Sequence, residues 1–236
     1  MVVLITGVGR RLGLTLAQHF LARGDQVIGT FRLHYPEVDE LRAQGADVAE
    51  LELTDLAAVQ QWAAEKALQY PSLDVLIHNA SAFKPTADDT AQGLADLATF
   101  NCVHMQVPYI LNETFSPNLR ASSQPHGNII HITDIYVKKP NPTFSLYCAS
   151  KAGLQSLNDS YAQSLAPHVR VNAIQPGPLA FLPEHSEAAK EKVLAATPLA
   201  ALGGFTPVVQ AVDFILHNDY LTGASLAIDG GRSLVL

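Results

Sequence analysis

The 236-residue chain is 48% hydrophobic, with a formal charge of -7 and a pI near 5.6. That is enough apolar material for one α/β domain with a large core. The acidic balance, with no basic run beyond Lys138-Lys139, argues against a nucleic-acid or anionic-membrane partner and for a small molecule. Cys102 and Cys148 lack metal-type spacing and suggest no disulfide framework. No apolar stretch approaches a membrane span or a signal-peptide core, so a reducing cytoplasm is the expected setting.

In chain order, Val2 to Ile5 reads as a buried parallel strand, and Thr6-Gly7-Val8-Gly9-Arg10-Arg11-Leu12-Gly13 turns it into a helix reaching about Ala22. Arg23-Gly24-Asp25 closes that helix, and Gln26 to Thr30 is a second strand. The unit has the length of roughly thirty residues that a dinucleotide-binding crossover requires. Pro36 opens a short helix through Gln44, Gly45 stops it, and Asp47 to Leu51 is a third strand. Thr54 or Asp55 caps a helix with apolar positions at Leu56, Val59, Ala63, Ala67 and Leu68. Asp74 to His78 is a fourth strand, followed by a long helical region to about Leu119.

Gly127 to Thr133 and Val169 to Ile174 read as strands on either side of a helix holding Tyr147 and Lys151, and Gln175-Pro176-Gly177-Pro178 reads as a rigid turn. From Leu179 to about Phe205 the pattern loosens around Pro183, Pro198, Gly203 and Gly204, with a short polar helix from Glu184 to Leu194. This segment reads as a mobile lid over a substrate. A helix from Pro207 to Leu216 and a strand from Ser225 to Ile228 complete the chain. The strict alternation predicts one domain over residues 1–236, a doubly wound Rossmann fold on a parallel sheet.

Two groups of residues carry chemistry. Glycines 7, 9 and 13 let the backbone approach a pyrophosphate, to which the following helix offers free N–H groups and a positive dipole end. A dinucleotide site that selects NAD places an acid about twenty residues further on, to accept from the ribose hydroxyl; Arg32 stands there instead. With Arg11 it forms a candidate clamp for a 2′-phosphate, so the expected cofactor is NADPH; the alternative is that both arginines are solvated surface residues. Tyr147 and Lys151, four apart on a helix, share a face. An ammonium beside a phenol favours the phenolate and lowers a pKa of about 10, which makes Tyr147 a candidate general acid.

The Thr6-Gly7 start, Asn79-Ala80 after the fourth strand, Tyr147 with Lys151, and the Pro176-Gly177 turn together resemble the short-chain dehydrogenase/reductase family over essentially the whole chain. The chain departs from that pattern at Arg11, where the family has glycine, and at Asp134, where it has a serine that orients a substrate carbonyl. Asp134, the Arg10-Arg11 pair, the run Asn79-Ala80-Ser81-Ala82-Phe83 and the run from Phe31 to Pro36 resemble the family's pteridine reductase branch. That resemblance implies NADPH-dependent reduction of a 7,8-dihydropterin, with Tyr147, Lys151 and Asp134 catalytic.

The resemblance also implies adenine contacts from Glu52 and Leu53, a ribose over Asn79 and Ala80, and further cofactor contacts from Gly7, Arg10, Leu12, Gly13, Ser81, Pro176 and Gly177. The pterin would meet Ser81, Phe83, Asp134, Tyr147 and Leu179, in a homo-oligomer that by family analogy is a tetramer. Glu52 reads equally as an exposed strand-end acid, and Phe83 as core packing. His104 stands where the family has a structural asparagine, four residues before Pro108, and reads either as its replacement in a proton relay or as a core histidine. A carbonyl or 3-oxoacyl reductase and a non-catalytic NADP sensor remain as alternatives; the first would carry serine at 134, and the second would be expected to lose Tyr147 or Lys151.

Overall fold

The computed structural model describes residues 1–182 and 185–235. Seven strands, β1 (Val2–Thr6), β2 (Gln26–Phe31), β3 (Asp47–Glu50), β4 (Val75–His78), β5 (Gly127–Ile132), β6 (Val169–Pro176) and β7 (Ser225–Ile228), form one parallel sheet in the order β3-β2-β1-β4-β5-β6-β7. Aliphatic runs such as Val3-Leu4-Ile5 and Val75-Leu76-Ile77 are fully buried because helices cover both faces of the sheet.

On one face α1 (Arg11–Ala22), α2 (Pro36–Ala43) and α8 (Thr206–His217) bury Leu16, Phe20, Val38, Val208 and Val212 against Val3, Ile5 and Ile77. On the other, α3 (Leu56–Gln69), α5 (Val107–Arg120) and α6 (Ser145–Ser164) bury Val59, Leu111, Phe115 and Tyr161 against Leu4, Leu76 and Ile129. Strand order reverses at β1, which has β2 on one side and β4 on the other. A crevice therefore opens at their carboxyl ends, where such folds bind ligands.

Several boundaries differ from the sequence reading. The long helical region after β4 begins only at Thr90, with Asp89 as its N-cap, and consists of α4 (Thr90–Asn101), a π-helical turn Cys102–Gln106, and α5. Pro108 has no N–H for the carbonyl four residues back, so the ladder slips and Val107 N–H bonds to Cys102 O. Two 3₁₀ turns, Ile135–Val137 and Pro142–Phe144, separate β5 from α6. β6 runs on through Gln175 and Pro176, and the turn starts at Gly177, whose N–H still bonds to Ile228 O at 3.0 Å.

The polar helix of the loose segment, α7 (Glu187–Ala195), starts after Ser186, whose side chain accepts from Ala189 N–H; Glu184, the expected start, lies outside the described residues. A short α9 (Arg232–Val235) follows β7 and was not foreseen. Among the described residues no helix is long and apolar enough to cross a membrane.

Candidate active site

The loop between β1 and α1 is closed by backbone geometry. Gly7, at φ 77°, and Val8 both donate to Thr30 O at 2.8 Å. A Cβ on Gly13 would lie 2.0 Å from Gly7 O and 2.5 Å from Asn79 Nδ2, so only glycine lets α1 come this close. Asn79 Nδ2 donates to Thr6 O (2.9 Å) and Gly7 O (3.2 Å), while Thr6 Oγ1 accepts from the Asn79 and Ala80 N–H groups. The loop after β4 is thereby tied to the glycine loop. Arg10, the extended N-cap of α1, makes no side-chain cap, and the first turn holds no acid. These features fit a dinucleotide: the helix end faces the crevice with N–H donors and no competing carboxylate.

The arginines are placed differently from the expected clamp. Arg11 takes a left-handed backbone, φ 55°, at the position where the family pattern has glycine. Its Nη2 donates to Ala180 O at 3.2 Å and its guanidinium lies over the Phe205 ring, so it faces the two ends of the loose segment. The arginine beside the Phe31–Tyr35 stretch is Arg10, whose guanidinium lies over Tyr35. Arg32 is exposed at that same end of the crevice. Glu52 also lines it, but its Oε1 accepts from Thr54 N–H (3.0 Å) and Thr54 Oγ1 (2.9 Å), holding the turn into α3.

At the other end Tyr147 of α6 donates from its hydroxyl to Asp134 Oδ2 at 2.8 Å, and Asp134 Oδ1 accepts from Tyr136 N–H at 2.8 Å. Lys151, one turn on, donates from Nζ to Ile132 O at 2.8 Å, with Nζ 5.9 Å from the Tyr147 ring centroid. The expected lowering of the phenol is overturned. Burial, and then the adjacent Asp134 charge, raise the Tyr147 pKa well above 10. Burial likewise raises Asp134 and pulls Lys151 down to about 8.

His104 joins this group. Its Nε2 accepts from Ala82 N–H (3.3 Å) and lies 2.9 Å from Ser81 Oγ. Its Nδ1 lies 2.8 Å from Ser150 Oγ, which itself donates to Tyr147 O, so the proton is assigned to Nδ1. Burial and the Lys151 charge hold the ring neutral. Of its two readings, the packed, hydrogen-bonded one describes its surroundings, yet the residue it bonds, Ser81, lines the same cavity as Tyr147. Phe83 is not core: it is 51% exposed, stacked 4.6 Å from Phe144 with its ring centroid 4.8 Å from that of Tyr147.

Every catalytic, cofactor and substrate residue singled out in the sequence, His104 apart, lines one cavity of about 730 Å³, from Arg32 and Leu53 at one end through Leu12, Ala80, Pro176 and Gly177 to Leu179 at the other. The sequence reading missed Tyr136, Phe144, His185, Val193 and Arg232. The two aromatics sit on the 3₁₀ turns, whose positions no periodicity reports; Arg232 follows Asp229-Gly230-Gly231, a turn signal that ended the reading too early.

A model of the short chain dehydrogenase family matches residues 1–192. The chain is 36% identical to a dihydromonapterin reductase of Enterobacter sp. (strain 638) over 233 residues, 98% of this chain and 96% of the relative. It has the same identity over 234 residues to one of Escherichia coli O6:K15:H31, with the same coverage. Among solved structures it is similar to the FolM alternative dihydrofolate reductase 1 of Brucella canis complexed with NADP, at a TM-score of 0.87 and 27% identity over 100% of this chain and 94% of that one. It is also similar to an acetoin dehydrogenase of Enterobacter cloacae, at a TM-score of 0.85 and 26% identity over 100% and 96%.

Proposed function

Because this chain belongs to the short-chain dehydrogenase/reductase family, oxidoreductases that use a nicotinamide cofactor, we propose that it catalyses NADPH-dependent reduction of a 7,8-dihydropterin to the tetrahydro form. The observation that carries the reading is Asp134: a largely buried carboxylate bonded to the Tyr147 hydroxyl, in a cavity flanked by the half-exposed Phe83 ring. A carboxylate oxygen accepts two hydrogen bonds, and each oxygen of Asp134 has used one within the protein. Two acceptor positions remain for a pterin edge rich in N–H donors, and Phe83 offers a face for its flat ring. The names of the relatives, dihydromonapterin reductase and alternative dihydrofolate reductase, support the same substrate class.

In this reading the bound cofactor supplies the hydride, to C6 of the dihydropterin. Lys151 holds the nicotinamide ribose with the two N–H groups that Ile132 O leaves over. Tyr147, kept protonated by burial, holds its proton at Oη for transfer towards N5, directly or through water, while Asp134 fixes the phenol and orients the ring. Residues 179–205 act as the lid, with Leu179 against the substrate. Arg32 and Arg10 meet the 2′-phosphate at the adenosine end, where Glu52 is the one carboxylate among the described lining residues and is occupied by Thr54.

A tetramer in the cytoplasm is the assembly and setting this reading carries. Turnover of dihydromonapterin, dihydrobiopterin and dihydrofolate with NADPH and with NADH tests it. Preference for NADPH with at least one dihydropterin is expected, and equal use of both cofactors, or faster turnover of a 3-oxoacyl substrate, counts against it.

A further inference from the structure

At the substrate end of the cavity, Arg232 is a cation for which the mechanism has no use. Its backbone is fixed: Asp229 accepts from Gly231 N–H at 2.9 Å and Ser233 N–H at 2.7 Å, and α9 packs against the turn Ile135–Val137 that follows Asp134. Its Nη1 donates to Val193 O of α7 at 3.1 Å. A guanidinium has five N–H donors, so four are left, and among the described residues no carboxylate lies within ion-pair distance. The carboxylate on the wall of the same cavity, Asp134, has turned its oxygens to Tyr136 and Tyr147. The substrate end therefore presents an uncompensated, partly exposed planar cation at its rim.

We propose that Arg232 reads the side chain of the substrate, and that the site prefers dihydropterins with a carboxylate tail, as in dihydrofolate, over those with a neutral polyol tail. The inference rests on the dihydropterin reading of the site and deepens it. A planar fork matches a carboxylate through two parallel bonds, and the bond to Val193 O leaves the opposite edge of the guanidinium for it. The tail would thereby be held between α9 and the lid helix α7.

The test is steady-state kinetics on the full chain with dihydrofolate, dihydromonapterin and a phosphate monoester of the latter, for the unmodified protein and for Arg232→Gln, Arg232→Lys and Arg232→Glu. The ratio of kcat/KM for dihydrofolate to that for the neutral dihydropterin should fall roughly tenfold in Arg232→Gln, be partly restored in Arg232→Lys, and fall further in Arg232→Glu. In the unmodified protein the same ratio should fall with added salt, and this dependence should weaken in Arg232→Gln.

An unaltered ratio, with both substrates impaired alike, would make Arg232 only a strap between α9 and α7 and overturn the inference while sparing the dihydropterin reading. A rise in the KM for NADPH as the main effect would move Arg232 to the cofactor and overturn it too. Better use of the phosphate ester than of dihydrofolate overturns the choice of carboxylate. Turnover of no dihydropterin at all removes both readings together.

Discussion

The two ends of the cavity are built by different means. Around the cofactor end the bonds that close the glycine loop each have a backbone partner: Gly7 and Val8 N–H bond to Thr30 O, Thr6 Oγ1 and Asn79 Nδ2 bond to backbone groups of the facing loop, and Gly13 sits where no Cβ fits. Around the substrate end, side chains from the loops after β4 and β5, the π-helical turn and α6 bond to one another across long stretches of sequence: Tyr147 to Asp134, Ser150 to His104, His104 to Ser81. Substitutions at the first end should act on folding and binding as a whole. Those at the second should change rates and pH dependence and leave the fold in place.

The largest effect is expected from Gly13→Ala. Its Cβ would meet backbone at 2.0 Å, so α1 must move away from the glycine loop, at a cost of about 1–3 kcal/mol or more together with NADPH binding. Gly203→Ala in the segment after α7 is the control, since its Cβ would lie 3.4 Å from Leu179 Cδ2, close to an ordinary contact. Thermal denaturation of both variants checks this; equal falls in Tm would erase the distinction between the two ends.

Tyr147→Phe should lower turnover by roughly 100-fold while NADPH binding stays nearly intact, because only the hydroxyl is lost. The phenol's hydrogen bond favours the ionised form of Asp134, so without it the Asp134 pKa should move further up, which a pH titration of the variant can follow. Near-normal turnover would show that the proton arrives by another route.

How much of this the sequence shows follows from the same contrast. The glycine loop, the strands and the alternation that orders them are visible because each depends on residues close together: aliphatic runs, and glycines where backbone must approach backbone. Residues 102–106 read as ordinary helix, and only the missing N–H of Pro108 hints at the slip there. The direction of the Tyr147 shift could not be read from a lysine one turn away, because it sums burial by α4, the loop at Ala82 and the 3₁₀ turns with the charge of Asp134. The place of Arg11 in the motif points its side chain at the cofactor; its left-handed backbone turns it towards Ala180 and Phe205 instead.

Lys151 gives the contrast a pH signature. Burial takes its pKa from an ordinary 10.5 to about 8, so the ammonium is present at neutral pH and is lost as pH rises through about 8. kcat/KM should therefore fall along a limb centred near 8 in the free enzyme. Stability should move the other way. Between about 8 and 10.5 the unfolded chain holds a proton that the native chain has released, so this residue's contribution becomes more favourable with rising pH across that window. Chemical denaturation of the unmodified protein and Lys151→Met at pH 7 and pH 10 should show the difference shifting in favour of the former; no shift would place the limb on another group.

A smaller change is expected at the exposed rim of the cofactor end. Arg32→Asp should reduce the preference for NADPH over NADH by roughly tenfold, an effect limited by solvent screening. Arg10→Ala should act in the same direction, since Arg10 lies over Tyr35 beside the same stretch, whereas Arg11→Gly should leave the preference in place and loosen the contacts to Ala180 and Phe205. Loss of preference in Arg11→Gly alone would return the clamp to the arrangement read from the sequence.

The smallest effect, and the one that separates substrate classes, is at Phe83. The ring is half exposed and stacked on Phe144, so Phe83→Ala removes little from the core and should leave Tm close to that of the unmodified protein. A stacking loss of about 0.5 to 1.5 kcal/mol beyond buried area should raise the KM of every dihydropterin by a similar factor, because the flat ring is common to all and the tail does not enter the contact. Asp134→Ser supplies the opposing measurement. It removes two acceptor positions from the pterin edge and restores the hydroxyl that orients a carbonyl elsewhere in the family, so dihydropterin turnover should fall while ketone reduction improves. If Phe83→Ala instead impairs a 3-oxoacyl substrate as much as a dihydropterin, and Asp134→Ser improves neither, the substrate end is not built for a flat, donor-rich ring.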